Sequence, residues 1–398
     1  MTRAEIIYFS PIGYEHLFQR PQHLYTIWKR TRSDMYDFFY VDPPIFTTLR
    51  YITEHLRYVP DLLRGRRASR EHDKDPNRII GWINIPVEMF GFSLFGQVNK
   101  HFMRVALNTA LKSPNPKIAI VGSGFWEPYI SKDDFDLICY DYLDPIGLVS
   151  RHPDLNKKTL QHEHEKLIAK SDIIFVTAEL LKEDARSIAY DTEIVMVANG
   201  VDVDFFEHNK SLRATKPSNQ RKKKRVGYMG TYDWVDIHLI SKIAQHLTDV
   251  DFLLIGLYDE QVEQYRYVMP DNVFLPGRLE PYARLPACVN TFDVGLIPFK
   301  TSPITDAIDP VKLYEYFALG KPVVATDLRQ LRRYNDGSLL RVANTVDEFV
   351  DAITFFLKHD SEVWRESRRD IARQNSWLSK ATIMMDNIES KLTDRRYK

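Results

Sequence analysis

Cysteine, an excess of charge of either sign, and long apolar runs are all scarce in this chain. Only Cys139 and Cys288 are present, and neither belongs to a CxxC pair. That argues against a disulfide framework or a structural zinc site and fits a reducing cytoplasm. Basic and acidic residues number 54 each, for a formal charge of zero. No global field draws in nucleic acid, so any bound anion must be held locally. No run approaches the ~18 apolar residues needed to cross a bilayer. The opening "MTRAEIIYFS" starts a strand at once, without the apolar core of a signal peptide, and the expectation is a cytoplasmic protein.

What is present is enough for two cores. The chain has 398 residues, 44% of them apolar and 27% charged, which suits two folded domains. Short apolar runs of strand length alternate with helical periodicity in both halves. In the first half they are 6–9, 38–41, 118–121, 137–140, 173–176 and 194–197; in the second, 226–229, 252–255, 273–275, 294–297 and 323–325. Such alternation predicts two doubly wound α/β domains with parallel sheets. The polar stretch 199–225, opening on Asn199-Gly200, reads as the connector. Domains at 1–200 and 201–375 follow, with 376–398 as a last helix packing back on the first. Ligands are expected in the cleft between them, beyond the carboxyl ends of the strands.

The most informative segment is "DPVKLYEYFALGKPVVAT", residues 309–326. Asp309 suits an N-cap and Pro310 the first helical position. Gly320 and Pro322 end the helix, which is predicted over 310–319. Lys312 then falls in the first turn, where the helix dipole disfavours a cation by about 0.3–1 kcal/mol. A phosphate would offset this, since free backbone N–H groups, dipole and ammonium converge on one anion. Glu315, one turn on, is an acceptor suited to vicinal hydroxyls such as those of a ribose. The alternative is an ordinary i,i+3 ion pair between the two.

The runs "NVFLPGRLEPYARLPACVNTFDVGLIPFKTS" and "DPVKLYEYFALGKPVVAT", with "FSPIGYEHLFQRPQHL", "IIFVTAELL" and "NGVD", carry a family resemblance. They resemble the GT-B glycosyltransferases, most closely the bacterial family 4-like enzymes that build teichuronic-acid-like and other cell-surface polysaccharides. The resemblance implies a nucleotide-sugar donor on the second domain, UDP-linked by analogy with GDP or dTDP as alternatives, and no metal or other cofactor. It implies a saccharide or glycolipid acceptor on the first domain. Glu315 would hold the ribose; Pro310, Val311 and Lys312, with Asp309, the diphosphate and sugar. Arg278 and Leu279 would face the base, and Gly230 and Thr231 the phosphates. Many relatives carry a second glutamate eight residues before the ribose one. Here that position is Ala307, flanked by Asp306 and Asp309.

Glycosyl transfer needs a stabilised leaving diphosphate, a positioned hydroxyl and, for inversion, a base. Asp141, ending a strand, and Asp144, one turn later, are the candidate carboxylates. His16 and Arg20, after the first strand, are candidates for meeting the acceptor and neutralising phosphate charge. Asp202-Val203-Asp204 is discounted as a metal motif, and "QHEHEK", with His162 and His164, reads as a solvated helix surface. Aromatics interleaved with Lys100, His101, Arg104 and Lys112, and the basic "LLRGRRASR", are compatible with an anionic membrane surface. Two other functions fit the same fold, a nucleotide-sugar 2-epimerase and a catalytically silent nucleotide-sugar-binding subunit.

Overall fold

The computed structural model of the protein describes residues 3–14, 18–43, 45–46, 77–79, 83–84, 93–107, 111–149, 157–211, 223–256, 268–279 and 282–396. The chain divides into two compact units, Met1–Val197 with Ala381–Lys398, and Ala198–Lys380.

The first unit is built on β1 (Ala4–Phe9), β2 (Tyr36–Val41), β3 (Ile45–Phe46), β4 (Arg78–Ile79), β5 (Ile83–Asn84), β6 (Lys117–Val121), β7 (Leu137–Tyr142), β8 (Ile173–Val176) and β9 (Glu193–Met196). Its main sheet runs β4-β2-β1-β6-β7-β8-β9, and β3 pairs with β5 apart from it. The pairings are parallel. β1 and β7 are buried along their whole length, as strands covered on both faces must be, which is why 6–9 and 137–140 within them read as unbroken apolar runs. Strand order reverses direction between β1 and β6. Loops after those two strands therefore diverge to opposite faces and leave a crevice.

The second unit holds β10 (Lys224–Met229), β11 (Val250–Ile255), β12 (Val273–Gly277), β13 (Val294–Ile297), β14 (Val323–Thr326) and β15 (Leu340–Ala343). Their order is β12-β11-β10-β13-β14-β15, again parallel, with the switch point between β10 and β13. The apolar runs of the sequence fall within these strands. β15 gave no such run because it is an edge strand carrying Arg341, whose guanidinium lies 3.5 Å from the Phe355 ring centroid.

Part of the expected connector is folded. Val201 bridges to Ser376, and a helix over Val203–Asn209 buries Phe206 in the second core. Asp202 caps that helix by accepting from the Phe205 amide at 2.9 Å. The last helix, Trp377–Arg396, begins in the second unit; from Ala381 onward it belongs to the first. There Trp28 Nε1 donates to the Ala381 carbonyl at 2.9 Å, and Met384, Met385 and Ile388 are buried.

Candidate active site

The 309–326 segment forms a helix over Val311–Ala318 followed by β14. Its end is a Schellman turn. Gly320 takes a φ of +68°, its amide donates to the Phe317 carbonyl, and the Lys321 amide donates to that of Tyr316. Its start differs from expectation. Pro310, not Asp309, is the N-cap residue, at φ −71° and ψ 110°, so Lys312 stands second in the helix.

Asp309 is instead a buried bracket. Its Oδ2 accepts from the Asn199 amide at 2.7 Å, and both carboxylate oxygens accept from Tyr314 Oη at 3.0 and 3.1 Å. Arg333 approaches to 3.5 Å. Asn199 Nδ2 returns a bond to the Asp309 carbonyl at 2.8 Å. With its side chain fully covered, Asp309 fastens the helix start. Asp306 is likewise engaged, accepting from the Arg329 amide at 2.7 Å, and Ala307 is buried.

Lys312 reaches from the helix to the switch point. Its Nζ lies 5.5 Å from the ring centroids of both Tyr228 on β10 and Phe299 just after β13. The loops after those strands are zipped together, the Asp236 amide to the Pro298 carbonyl at 2.8 Å and the Lys300 amide to that of Trp234 at 2.7 Å. Gly230, at φ +131°, makes room for the lysine: a Cβ there would lie 2.3 Å from Lys312 Cε. Gly256, the residue after β11, closes the same corner, where a Cβ would meet the Gly230 carbonyl oxygen at 2.0 Å.

Lys312 makes no hydrogen bond and no ion pair among the described residues, and neither does Glu315. The i,i+3 pair offered as the alternative does not form. Burial pushes the Lys312 ammonium below its usual range, opposed by Glu315 and Asp233. Burial also pushes the Glu315 carboxyl up to about 7, with Lys312 opposing. The two half-buried groups thus share one helix face and feel each other's charge without forming a direct ion pair. Beside Glu315 lies Tyr282, whose phenol its charge pushes further above the usual range after burial and whose ring stacks on Phe205 at 5.5 Å. Tyr282 escaped the sequence reading because nothing in its own neighbourhood points to Glu315.

The other expected ligand positions surround this point. Thr231 is exposed, and its carbonyl accepts from Tyr228 Oη. β12 ends at Gly277, φ +85°, leaving Arg278 exposed and Leu279 half-buried against the core. Pro310 is buried and Val311 half-buried.

In the first unit the candidates separate. Asp141, at 0% exposure, is held by Arg20 through Nε at 3.2 Å and Nη2 at 2.8 Å, and by Tyr8 Oη at 2.8 Å. Arg20, 4% exposed, also donates to the Val197 carbonyl at 2.8 Å. It is the first residue of its helix, not part of the loop before it. Within the fold the two side chains are thus committed to each other, to Tyr8 and to the Val197 carbonyl. Asp144, by contrast, is half-buried and forms no hydrogen bond among the described residues. Burial, then the neighbouring Asp141, pushes it up to about 6 against the pull of Arg20. His16 lies outside the described residues.

"QHEHEK" also needs correcting. His162 is exposed, but His164 is fully buried, its Nδ1 2.9 Å from Tyr140 Oη and its Nε2 3.1 Å from Asp184 Oδ2. On the helix Ser93–Ala106, Lys100, His101 and Arg104 are exposed while Asn99 and Met103 are buried. The basic stretch 62–70 and most of the aromatics before that helix lie outside the described residues. Among the described residues no helix is long and apolar enough to cross a membrane.

Residues 223–359 match the family described as glycosyl transferases group 1. The matched stretch lies within the second unit and includes Gly230, Arg278, Lys312 and Glu315. The chain is 26% identical over 257 residues to TuaH of Bacillus subtilis (strain 168), whose name assigns it to teichuronic acid biosynthesis as a glycosyltransferase. That match covers 61% of this chain and 64% of TuaH. In fold the chain resembles the sucrose-phosphate synthase of Thermosynechococcus elongatus, with a TM-score of 0.67 at 14% identity over 99% of this chain and 100% of the other. It also resembles HepE of Anabaena, solved in complex with UDP-glucose, with a TM-score of 0.66 at 14% identity over 97% and 99% of the two chains. The architecture is α/β, two Rossmann-like parallel-sheet units of the GT-B kind.

Proposed function

We propose that this protein is a glycosyltransferase taking its sugar from a nucleoside diphosphate sugar, UDP-linked by preference, and passing it to a saccharide or glycolipid acceptor during cell-surface polysaccharide synthesis. The observation that carries this reading is the pair Lys312 and Glu315, neither hydrogen-bonded nor ion-paired among the described residues, in the stretch that matches glycosyl transferases group 1. An unpaired, half-buried ammonium beside two free helix-start amides, those of Val311 and Lys312, suits a diphosphate. An acceptor-only carboxylate one turn away suits the ribose hydroxyls. TuaH and the UDP-glucose complex of HepE support the choice of pathway class and nucleotide.

In the reaction the bond from the anomeric carbon to the leaving diphosphate breaks, and negative charge develops on the diphosphate oxygens. Lys312 is placed to stabilise that charge, as an ammonium in a site of low dielectric does far better than one in water. The acceptor hydroxyl forms the new bond and gives up its proton. Asp144 is the carboxylate suited to take it, since a base with a pKa of about 6 is ionised at neutral pH yet more basic than an ordinary aspartate.

Thermal shift against UDP, GDP, dTDP, NAD and the corresponding sugar nucleotides tests the reading, because only ligands of the native state raise the melting temperature. Stabilisation by a nucleoside diphosphate and its sugar conjugate is expected. Stabilisation by NAD and by none of the others would overturn it.

A further inference from the structure

We propose that Thr326 and Gln330 form a hydroxyl-binding subsite for the sugar carried by the nucleotide. The inference rests on the donor reading above and extends it to the transferred group. Thr326 is the last residue of β14, which pairs with β13 in the register Ile297↔Ala325. Thr326 therefore stands level with Pro298, one residue from the Phe299 ring that faces Lys312. Gln330 follows in the short 3-10 turn Arg329–Tyr334.

Thr326 is 6% and Gln330 3% exposed, and among the described residues neither Thr326 Oγ1 nor Gln330 Nε2 has a hydrogen-bond partner. Folded proteins rarely leave buried polar atoms unsatisfied, since the lost hydration is not recovered. Here two such atoms lie four residues apart in the sequence, one at the carboxyl end of β14 and one in the turn after it, and β14 neighbours β13, which flanks the switch point. A ligand that completes them gives the arrangement a purpose.

Their chemistry suits a pyranose. A threonine hydroxyl both donates and accepts, and a carboxamide nitrogen donates twice, so together they match neighbouring sugar hydroxyls. The two aspartates that flank Ala307 are occupied. Asp306 accepts from the Arg329 amide, Asp309 is held by Asn199 and Tyr314, and Ala307 has nothing to offer. Thr326 and Gln330 thus stand where the flanking aspartates do not reach.

The test uses the full chain and the near-isosteric variants Thr326→Val and Gln330→Met. Calorimetric titrations compare UDP-glucose, GDP-mannose and dTDP-glucose with their free diphosphates. Wild type should bind at least one sugar nucleotide more tightly than its diphosphate. Each variant should bind the diphosphate as wild type does, while the advantage conferred by the sugar falls roughly 5- to 10-fold, the loss expected for one hydrogen bond to a buried partner. A ligand-free melting temperature for Thr326→Val at or above that of wild type would confirm that the hydroxyl contributes nothing to the unliganded fold. Variants that keep the full sugar advantage overturn the subsite, as does a wild type that binds diphosphate with no such advantage. A wild type that binds no nucleotide overturns the donor reading itself, a result distinct from both.

Discussion

Two pairs of opposite charges sit at the carboxyl ends of parallel strands in this protein, one in each unit, and they are put to opposite uses. In the first unit Arg20 and Asp141 are closed on each other, two nitrogens to two oxygens, with Tyr8 and the Val197 carbonyl taking up further valences. In the second, Lys312 and Glu315 share a helix face without an ion pair, the lysine over two aromatic rings. A closed pair holds secondary structure together across a long stretch of sequence. An open pair leaves both members able to answer a ligand. Charge at a strand end is thus not by itself a mark of function; what matters is whether the surrounding groups have already used it.

The sharpest way to break this contrast is through stability. Arg20→Ala should cost about 3–5 kcal/mol in urea unfolding, because it strands a buried carboxylate, whereas Lys312→Met should leave stability unchanged or raised. Equal destabilisation by the two would erase the distinction. The next effect in size is on ligand affinity. Lys312→Met should weaken UDP binding roughly 10- to 100-fold, the range for losing a charge-assisted contact, and calorimetry showing full affinity would make the lysine scaffold only.

The smallest effect concerns protons. Glu315 titrates near 7 in the fold but near 4.3 when unfolded, so the native state binds the extra proton. Its contribution to stability is complete below the unfolded value and is lost as pH rises through about 7. Glu315→Gln should therefore leave the ligand-free melting temperature almost unchanged near pH 4 and raise it progressively up to pH 8, by roughly 3 kcal/mol of stability. Affinity of wild type for UDP should rise from pH 6 to pH 8 as the carboxylate forms. A pH-independent difference between variant and wild type would show that Glu315 is not the titrating group.

The strands and the site helix were legible in the sequence because their signals are local: unbroken apolar runs, a proline near the helix start, a glycine just past its end. Lys312 and Glu315 were found for the same reason, three residues apart on one helix. What stayed hidden depends on distant partners. Asp141 looked like a base because Arg20, its partner, lies 121 residues away, and Asp309 looked like a cap because Asn199 lies 110 residues away. His164 sits in a polar string that reads as solvated, yet Tyr140 and Asp184 draw it inside. Thr326 and Gln330 could not be read at all, since their defining property is a hydrogen bond that is missing.

The glycine corner beneath Lys312 has a consequence for how this protein can change. A side chain at Gly230 would strike the lysine and one at Gly256 would strike the neighbouring main chain, so neither position can drift without dislodging the ammonium. Variation in what the site accepts is thereby pushed outward, to the Arg278–Leu279 loop and to the turn carrying Gln330. Anyone redesigning its ligand preference should begin at that periphery and leave the corner alone.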